Sequence, residues 1–204
     1  MTASRDPLDS IGRNEAPALR PVITHITGHN AEGKAILLSS KESPRSFHGH
    51  VTPGQSHRMS FSVAYTTSQF PPDLNNDADL KAHSTVVDSG NLGLVNPGGS
   101  VFRIVDFAPN SPAAVHRTQS LDYGIVLEGQ IEMILEDGEP VLLQRGDHAI
   151  QRATMHGWRN PSPTEWTRMA FVLQDCKPLT VGGTCLKEDL GPMEGVINSS
   201  GNDQ

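Results

Sequence analysis

The chain has 204 residues, with 16 Lys and Arg against 23 Asp and Glu and a formal net charge of −7. That length fits one β-rich core with generous loops better than two. No basic stripe exists to meet nucleic acid, and no apolar run is long enough for a secretory signal or a membrane span. A cytoplasmic protein without nucleic-acid or membrane partners is therefore expected. Residues 1–20 are polar and read as a flexible leader. In PVITHITGHNAEGKAILLS, apolar β-formers flank an Asn- and Gly-containing turn, the pattern of a hairpin. FSVAYTTSQF reads as a further strand, and PPDLNNDADLKAH as an acidic loop with at most one helical turn. From Ser100 the rhythm tightens. SVFRIVDFAP, LDYGIVLEG, QIEMILEDG, EPVLLQRGD, HAIQRAT, HGWRN and WTRMAFVLQD succeed one another with Gly, Pro or Asp-Gly at the joints, which predicts a sandwich or barrel. QIEMILEDG puts Ile131, Met133 and Leu135 on one face, whereas RMAFVLQ reads as buried on both sides, the mixture that packed sheets produce. The expected division is a leader at 1–20, strands and loops at 21–99, a core block at 100–178, and a C-terminal extension with a flexible tail at 179–204.

Two stretches of the core block carry chemistry. In HRTQSLDYGIVLEG, His116, Thr118, Ser120 and Asp122 share parity, so an extended backbone turns them to one side, polar where a core would be apolar. In GDHAIQRATMHGWRN, Gly146-Asp147 makes a turn and His156, Trp158 and Asn160 share a face. Together these stretches resemble the two motifs of the cupin superfamily. Gly129 stands at the first motif's closing glycine, Asp122 at its carboxylate and His116 at its first histidine, while Thr118 replaces its second. Gly146 opens the second motif, His156 is its histidine and Asn160 closes it, with Arg152 where the family has proline. The match covers residues 100 to 175. The wording of both motifs, and the early ITGHNAEGKAIL hairpin, resemble small single-barrel cupins encoded among fungal secondary-metabolite genes. The resemblance implies an all-β double-stranded β-helix (jelly-roll) with an N-terminal hairpin extension and few helices. It also implies a homodimer acting on a polyketide- or terpenoid-like molecule.

The family's ligand positions leave His116, Asp122 and His156. Such a 2-His-1-carboxylate set keeps open positions on a divalent ion: Fe working with O₂, or Zn, Mn or Ni polarising a carbonyl. The other reading pairs His116 with Asp122 in a metal-free pocket, the carboxylate fixing the imidazole as a general base. Aspartate is also one methylene shorter than the family's glutamate. On either reading His116, His156 and Asp122 are the catalytic candidates. Thr118, Arg103, Trp158 and Tyr123 are the substrate-binding ones. Arg103, in an apolar strand, suits an anion or carbonyl, and Trp158 suits either a pocket wall or the core. Tyr123, of opposite parity to Asp122, reads first as packing. His48 and His50 in FHGH, with His57, lack an accompanying carboxylate and are interrupted by Pro53 and Gly54, so they read as loop. His25, His29 and His83 read as in or beside turns, and His148 is off the ligand parity. Cys176 and Cys185 read as free thiols. No nucleophile elbow or phosphate cradle exists, so neither an acyl-enzyme nor a nucleotide cofactor is expected. The expected activity is dehydration, isomerisation, cyclisation or decarboxylation of an oxygenated intermediate. The alternatives are an Fe(II)-dependent oxygenase at the same residues and a non-catalytic small-ligand-binding barrel.

Overall fold

The computed structural model describes the backbone of residues 19–52 and 55–203, and their side chains apart from 47–52 and 55–58. The leader expected at 1–20 falls almost wholly outside the described residues. Strands β1 (Ile23–His29) and β2 (Ala35–Glu42) form the expected hairpin, which places His25 and His29 in a strand. Its turn is closed by Asn30, whose Oδ1 accepts the Glu32 and Lys34 amides at 3.1 and 2.9 Å. Strands β3 (Ser46–Thr52) and β4 (Gln55–Thr67) form a second hairpin, so the stretch read as loop is a paired ladder with His50 opposite His57. The pairing runs out to Thr52 opposite Gln55, so β-formers on either side of Pro53 and Gly54 make strands where loop was expected. The side chains of His48, His50 and His57 lie outside the described residues.

The acidic stretch read as loop contains helix α1 (Ala78–Asp88). None of its residues is buried, so no apolar stripe announced it. Polar contacts to β4 hold it instead. The Tyr65 hydroxyl donates to Asp79 at 2.5 Å, the Tyr65 ring stacks on His83 at 4.6 Å, and the Thr66 amide donates to His83 Nδ1 at 3.1 Å.

Beyond the helix come β5 (Ser100–Phe107), β6 (Ser120–Glu128), β7 (Gln130–Leu135), β8 (Val141–Gln144), β9 (His148–Arg152), β10 (His156–Arg159) and β11 (Thr167–Asp175), at the spacing the turn residues predicted. Their ladders are antiparallel. One sheet runs β3-β4-β5-β11-β6-β9 and the other β10-β7-β8. This is a mostly β double-stranded β-helix with a single α-helix among the described residues. Val105, Val126, Ile131, Trp158, Met169 and Leu173 form its buried core. β11 is buried on both faces over most of its length, as its composition predicted. Its outer face holds Arg168, which grips Asp106 at 2.5 and 2.8 Å and donates to the Arg20 carbonyl at 2.7 Å.

Strands β12 (Leu179–Val181) and β13 (Thr184–Leu186) make a hairpin around Gly182 and Gly183, both at positive φ. Residues 187–203 are not the flexible tail expected; they run back along the barrel as a strap. Arg117 and Asp189 exchange backbone bonds of 2.7 and 2.9 Å, and the Val95 amide donates to Ser200 Oγ at 3.0 Å. Asn202 Nδ2 donates to the Gln119 carbonyl at 2.9 Å and to Asp175 at 2.6 Å. Leu190 and Met193 are buried beneath. The small polar residues that compose like disorder are the docking groups. Cys176 and Cys185 are free thiols, as expected. No helix among the described residues is long and apolar enough to cross a membrane.

Candidate active site

Leaving β5, the chain folds back so that His116 pairs with His156 at the head of β10. Each amide donates to the other's carbonyl, at 2.8 and 2.9 Å. Such a doubly bonded pair sets its Cα atoms about 5.5 Å apart with both side chains on one side, and the ring centroids stand 4.6 Å from each other. Gly157 permits the approach, since a Cβ there would lie 3.0 Å from Ala113 Cβ and 3.1 Å from Val115 Cγ2. Both rings are oriented alike: His116 Nδ1 is 2.9 Å from the Ala114 carbonyl oxygen and His156 Nδ1 is 3.0 Å from that of Thr154. A carbonyl only accepts, so Nδ1 carries the proton and each neutral Nε2 keeps a lone pair. Burial lowers both pKa values, that of His156 to about 3 with further lowering by His116, so both rings are neutral at pH 7.

Thr118, Ser120 and Asp122 share the inward side, as their parity predicted. The Ser120 hydroxyl lies 2.7 Å from Thr118 Oγ1 and 2.5 Å from Asp122 Oδ1. A hydroxyl has one proton, so when Ser120 donates to the carboxylate its oxygen is left to accept from Thr118. Burial raises the Asp122 pKa from 3.8 to about 6, against the lowering pull of Ser120, Arg103 and Thr118. Thr118, expected as a substrate contact, stands behind Asp122 and is not among the residues that line the pocket.

Arg103, Asp122, His116 and His156 form the polar part of a pocket whose other walls include Phe61, Leu94, Phe107, Trp158, Phe171 and Met193. It is a partly open cleft with about 500 Å³ of empty space between and beyond its walls, open solvent included. Trp158 serves wall and core together, edge-on to the His156 ring at 5.9 Å and tilted against Phe171 at 5.6 Å. Arg103 is buried on β5. Its Nη2 donates to the Gly93 and Leu94 carbonyls at 2.8 and 2.9 Å, and its guanidinium carbon stands 6.0 Å from the centre of the Phe61 ring. Burial lowers its pKa to about 10, opposed by Asp122, so it remains a cation at pH 7. Tyr123, expected as a substrate contact, does not line this pocket. It is 41% exposed on the outer face of the sheet, opposite Val172 and Ile150, because it neighbours the inward-facing Asp122. Leu94 and Met193 were not anticipated. The one hint for Met193 is an apolar residue at every third or fourth position, Leu190, Met193 and Ile197, inside an otherwise polar stretch.

Two imidazole lone pairs backed by Nδ1–H···O=C bonds have the form in which histidine binds a divalent metal. The expected third ligand does not join them. Among the described residues no three His, Cys, Asp or Glu side chains stand together closely enough to hold an ion. The Asp122 carboxylate is engaged by Ser120, and its short side chain keeps it at the strand. The residues present therefore do not fit a three-ligand centre built from His116, Asp122 and His156.

Residues 103–172 match the Cupin_2 cupin domain. Over 172 residues the chain is 42% identical to phomopsin biosynthesis cluster protein D of Diaporthe leptostromiformis, covering 84% of this chain and 88% of that one. It belongs to the cupin family. This cupin is also 39% identical over 168 residues to the cupin-domain-containing oxidoreductase virC of Hypocrea virens, covering 81% and 82% of the two chains. Among solved structures it is similar to an uncharacterized conserved protein with a double-stranded beta-helix domain from Klebsiella pneumoniae, with a TM-score of 0.34 and 27% identity over 37% of this chain and 66% of that one. The cupin's relatives are thus proteins of fungal secondary-metabolite clusters.

Proposed function

We propose that this cupin is an oxidoreductase of fungal secondary-metabolite biosynthesis that acts on an apolar, oxygen-bearing small molecule. Relatives named cupin-domain oxidoreductases support the reaction class. The observation that carries the chemistry is the pair of neutral imidazoles in the same apolar pocket as Arg103 and Asp122. Either Nε2 lone pair can take a proton from a hydroxyl or from a C–H beside a carbonyl. The electron pair left behind spreads onto the substrate oxygen, where the Arg103 cation stabilises it inside low-dielectric walls. Dioxygen is the oxidant to test: two electrons and a second proton would pass from the anion to O₂, and the proton held on the imidazole would complete hydrogen peroxide, leaving the substrate oxidised by two electrons. Asp122, which titrates near pH 6, is placed to return a proton.

A lyase or isomerase is the second reading. It uses the same proton transfers with no oxidant, and it is favoured by a polar strip made of acid–base groups. The test is to delete the gene in the source organism, extract what accumulates, and supply it to the purified protein in an oxygen electrode. Conversion with O₂ uptake is expected. Conversion without uptake would replace the oxidoreductase by the lyase or isomerase, and binding without conversion would leave a ligand carrier. His156→Ala should lower turnover by about 100-fold with the circular-dichroism spectrum unchanged.

A further inference from the structure

Among the described residues two arginines are buried, and their surroundings differ. Arg168, on the outer side, is neutralised in place by both oxygens of Asp106. Arg103, on the pocket side, is not. Its Nη2 bonds two neutral carbonyls, and its buried Nε has no hydrogen-bond partner among the described residues. Asp122 acts on it electrostatically, but that carboxylate takes its hydrogen bond from Ser120. A buried cation without a paired anion is costly to hold. A carboxylate is supplied where an arginine serves structure alone, and among the described residues none forms an ion pair with Arg103. With Nη2 occupied and Nε closed off from solvent, the part of the guanidinium that lines the pocket is what remains for an acceptor arriving from outside.

The rest of the pocket limits what that acceptor belongs to. Phe61, Phe107, Trp158 and Phe171 offer flat apolar surfaces, and polar groups are confined to one strip. We propose that the pocket takes a planar, apolar molecule bearing one acidic oxygen, an enol, phenol or carboxylic acid, bound as its anion with that oxygen on Arg103. The proposal rests on the reading of this pocket as the reacting site and names its substrate class. Binding then has a proton signature. The charged and titratable groups around Asp122 are Arg103 on β5, the imidazoles of His116 and His156, and the Cys176 thiol after β11. A second anion sharing the one cation favours the protonated form of Asp122, so the anion enters together with a proton.

Calorimetry on the full chain at pH 7 with 2-naphthoate and with its neutral isostere 2-naphthamide tests this. The acid should bind at least about tenfold tighter than the amide. Runs in two buffers of different ionisation enthalpy should show net proton uptake for the acid alone. Arg103→Gln should abolish the preference and keep amide binding. Should that variant fail to fold, Asp122→Asn decides: it retains Arg103, should bind the acid several-fold tighter with amide affinity unchanged, and should lose the proton uptake. Equal binding of acid and amide, a preference that survives in folded Arg103→Gln, or no change in Asp122→Asn overturns the substrate class while leaving the pocket reading intact. Failure of both compounds to bind the wild-type chain overturns the pocket reading, and the proposal with it.

Discussion

A carboxyl moved from water into the wall of an apolar pocket loses the hydration its ionised form needs. At Asp122 that loss outweighs the Ser120 and Thr118 hydroxyls and the Arg103 cation, leaving a pKa near 6. The folded value lies above the unfolded one. Asp122 therefore favours the fold fully below pH 3.8, and this contribution disappears as pH rises through 6, a difference of about 3 kcal/mol by neutral pH. Asp122→Asn removes the charge and keeps an oxygen for Ser120. It should raise stability at pH 7 by about 1–3 kcal/mol and give no gain at pH 4, as thermal melts at the two values would reveal. A lower Tm at pH 7 would mean that the carboxylate is stabilised by contacts other than those described. The same substitution should erase an alkaline limb near pH 6 from the turnover profile, the loss of turnover as the proton-returning carboxyl ionises. His156, pushed down to about 3, does not titrate there. Persistence of the limb in Asp122→Asn would assign it to another group.

β10 is only four residues long, and it positions an imidazole because both its edges are held: one by the ladder to β7, the other by the His116–His156 bridge. Gly157→Val drives branched carbons into Ala113 and Val115. It should cost about 1–3 kcal/mol and separate the two rings, so turnover falls while the far-UV spectrum persists. Asn160, immediately after β10, is fully buried. Its Nδ2 reaches the carbonyls of Phe107, Ala108 and Glu165, and its Oδ1 accepts the Ser162 amide. Asn160→Ala orphans those groups and should cost about 2–4 kcal/mol by denaturant melts, with little change in the turnover of the folded fraction. Whether an element could be read from the sequence depends on what forms it. β5 to β11 were legible because alternation and turn residues are local signals. α1 was not, because a helix with no buried residue has no apolar stripe and is held by Tyr65 from another element. Parity brought His116 and Asp122 into one pocket, and it also left Tyr123 outside. The distance between Asp122 and the imidazoles was beyond such reasoning, since it depends on side-chain length and on the competing hydroxyl of Ser120.

Across the whole molecule, the strap ties the pocket's cation to the C-terminus. The Ser200 hydroxyl accepts the Val95 amide, and the two carbonyls just before Val95 are those that grip Arg103. Met193 meanwhile lines the pocket itself. Gly191 lets the strap turn there, at φ 51°, where a Cβ would stand 2.3 Å from the Val115 carbonyl oxygen. The strap is fastened by side-chain amides and hydroxyls worth about 1 kcal/mol each, whereas β11 lies between two ladders in the core. Local opening of the strap should thus take less free energy than global unfolding. Ser200→Ala removes one fastening, and the amides of Glu194, Val196 and Ile197, which bond within the strap's own turns, should exchange hydrogen about fivefold faster. Those of β11 should be unchanged in the same mass-spectrometric experiment. If instead both regions accelerate together, the strap and barrel open as one cooperative unit, and Arg103 is held by the fold as a whole.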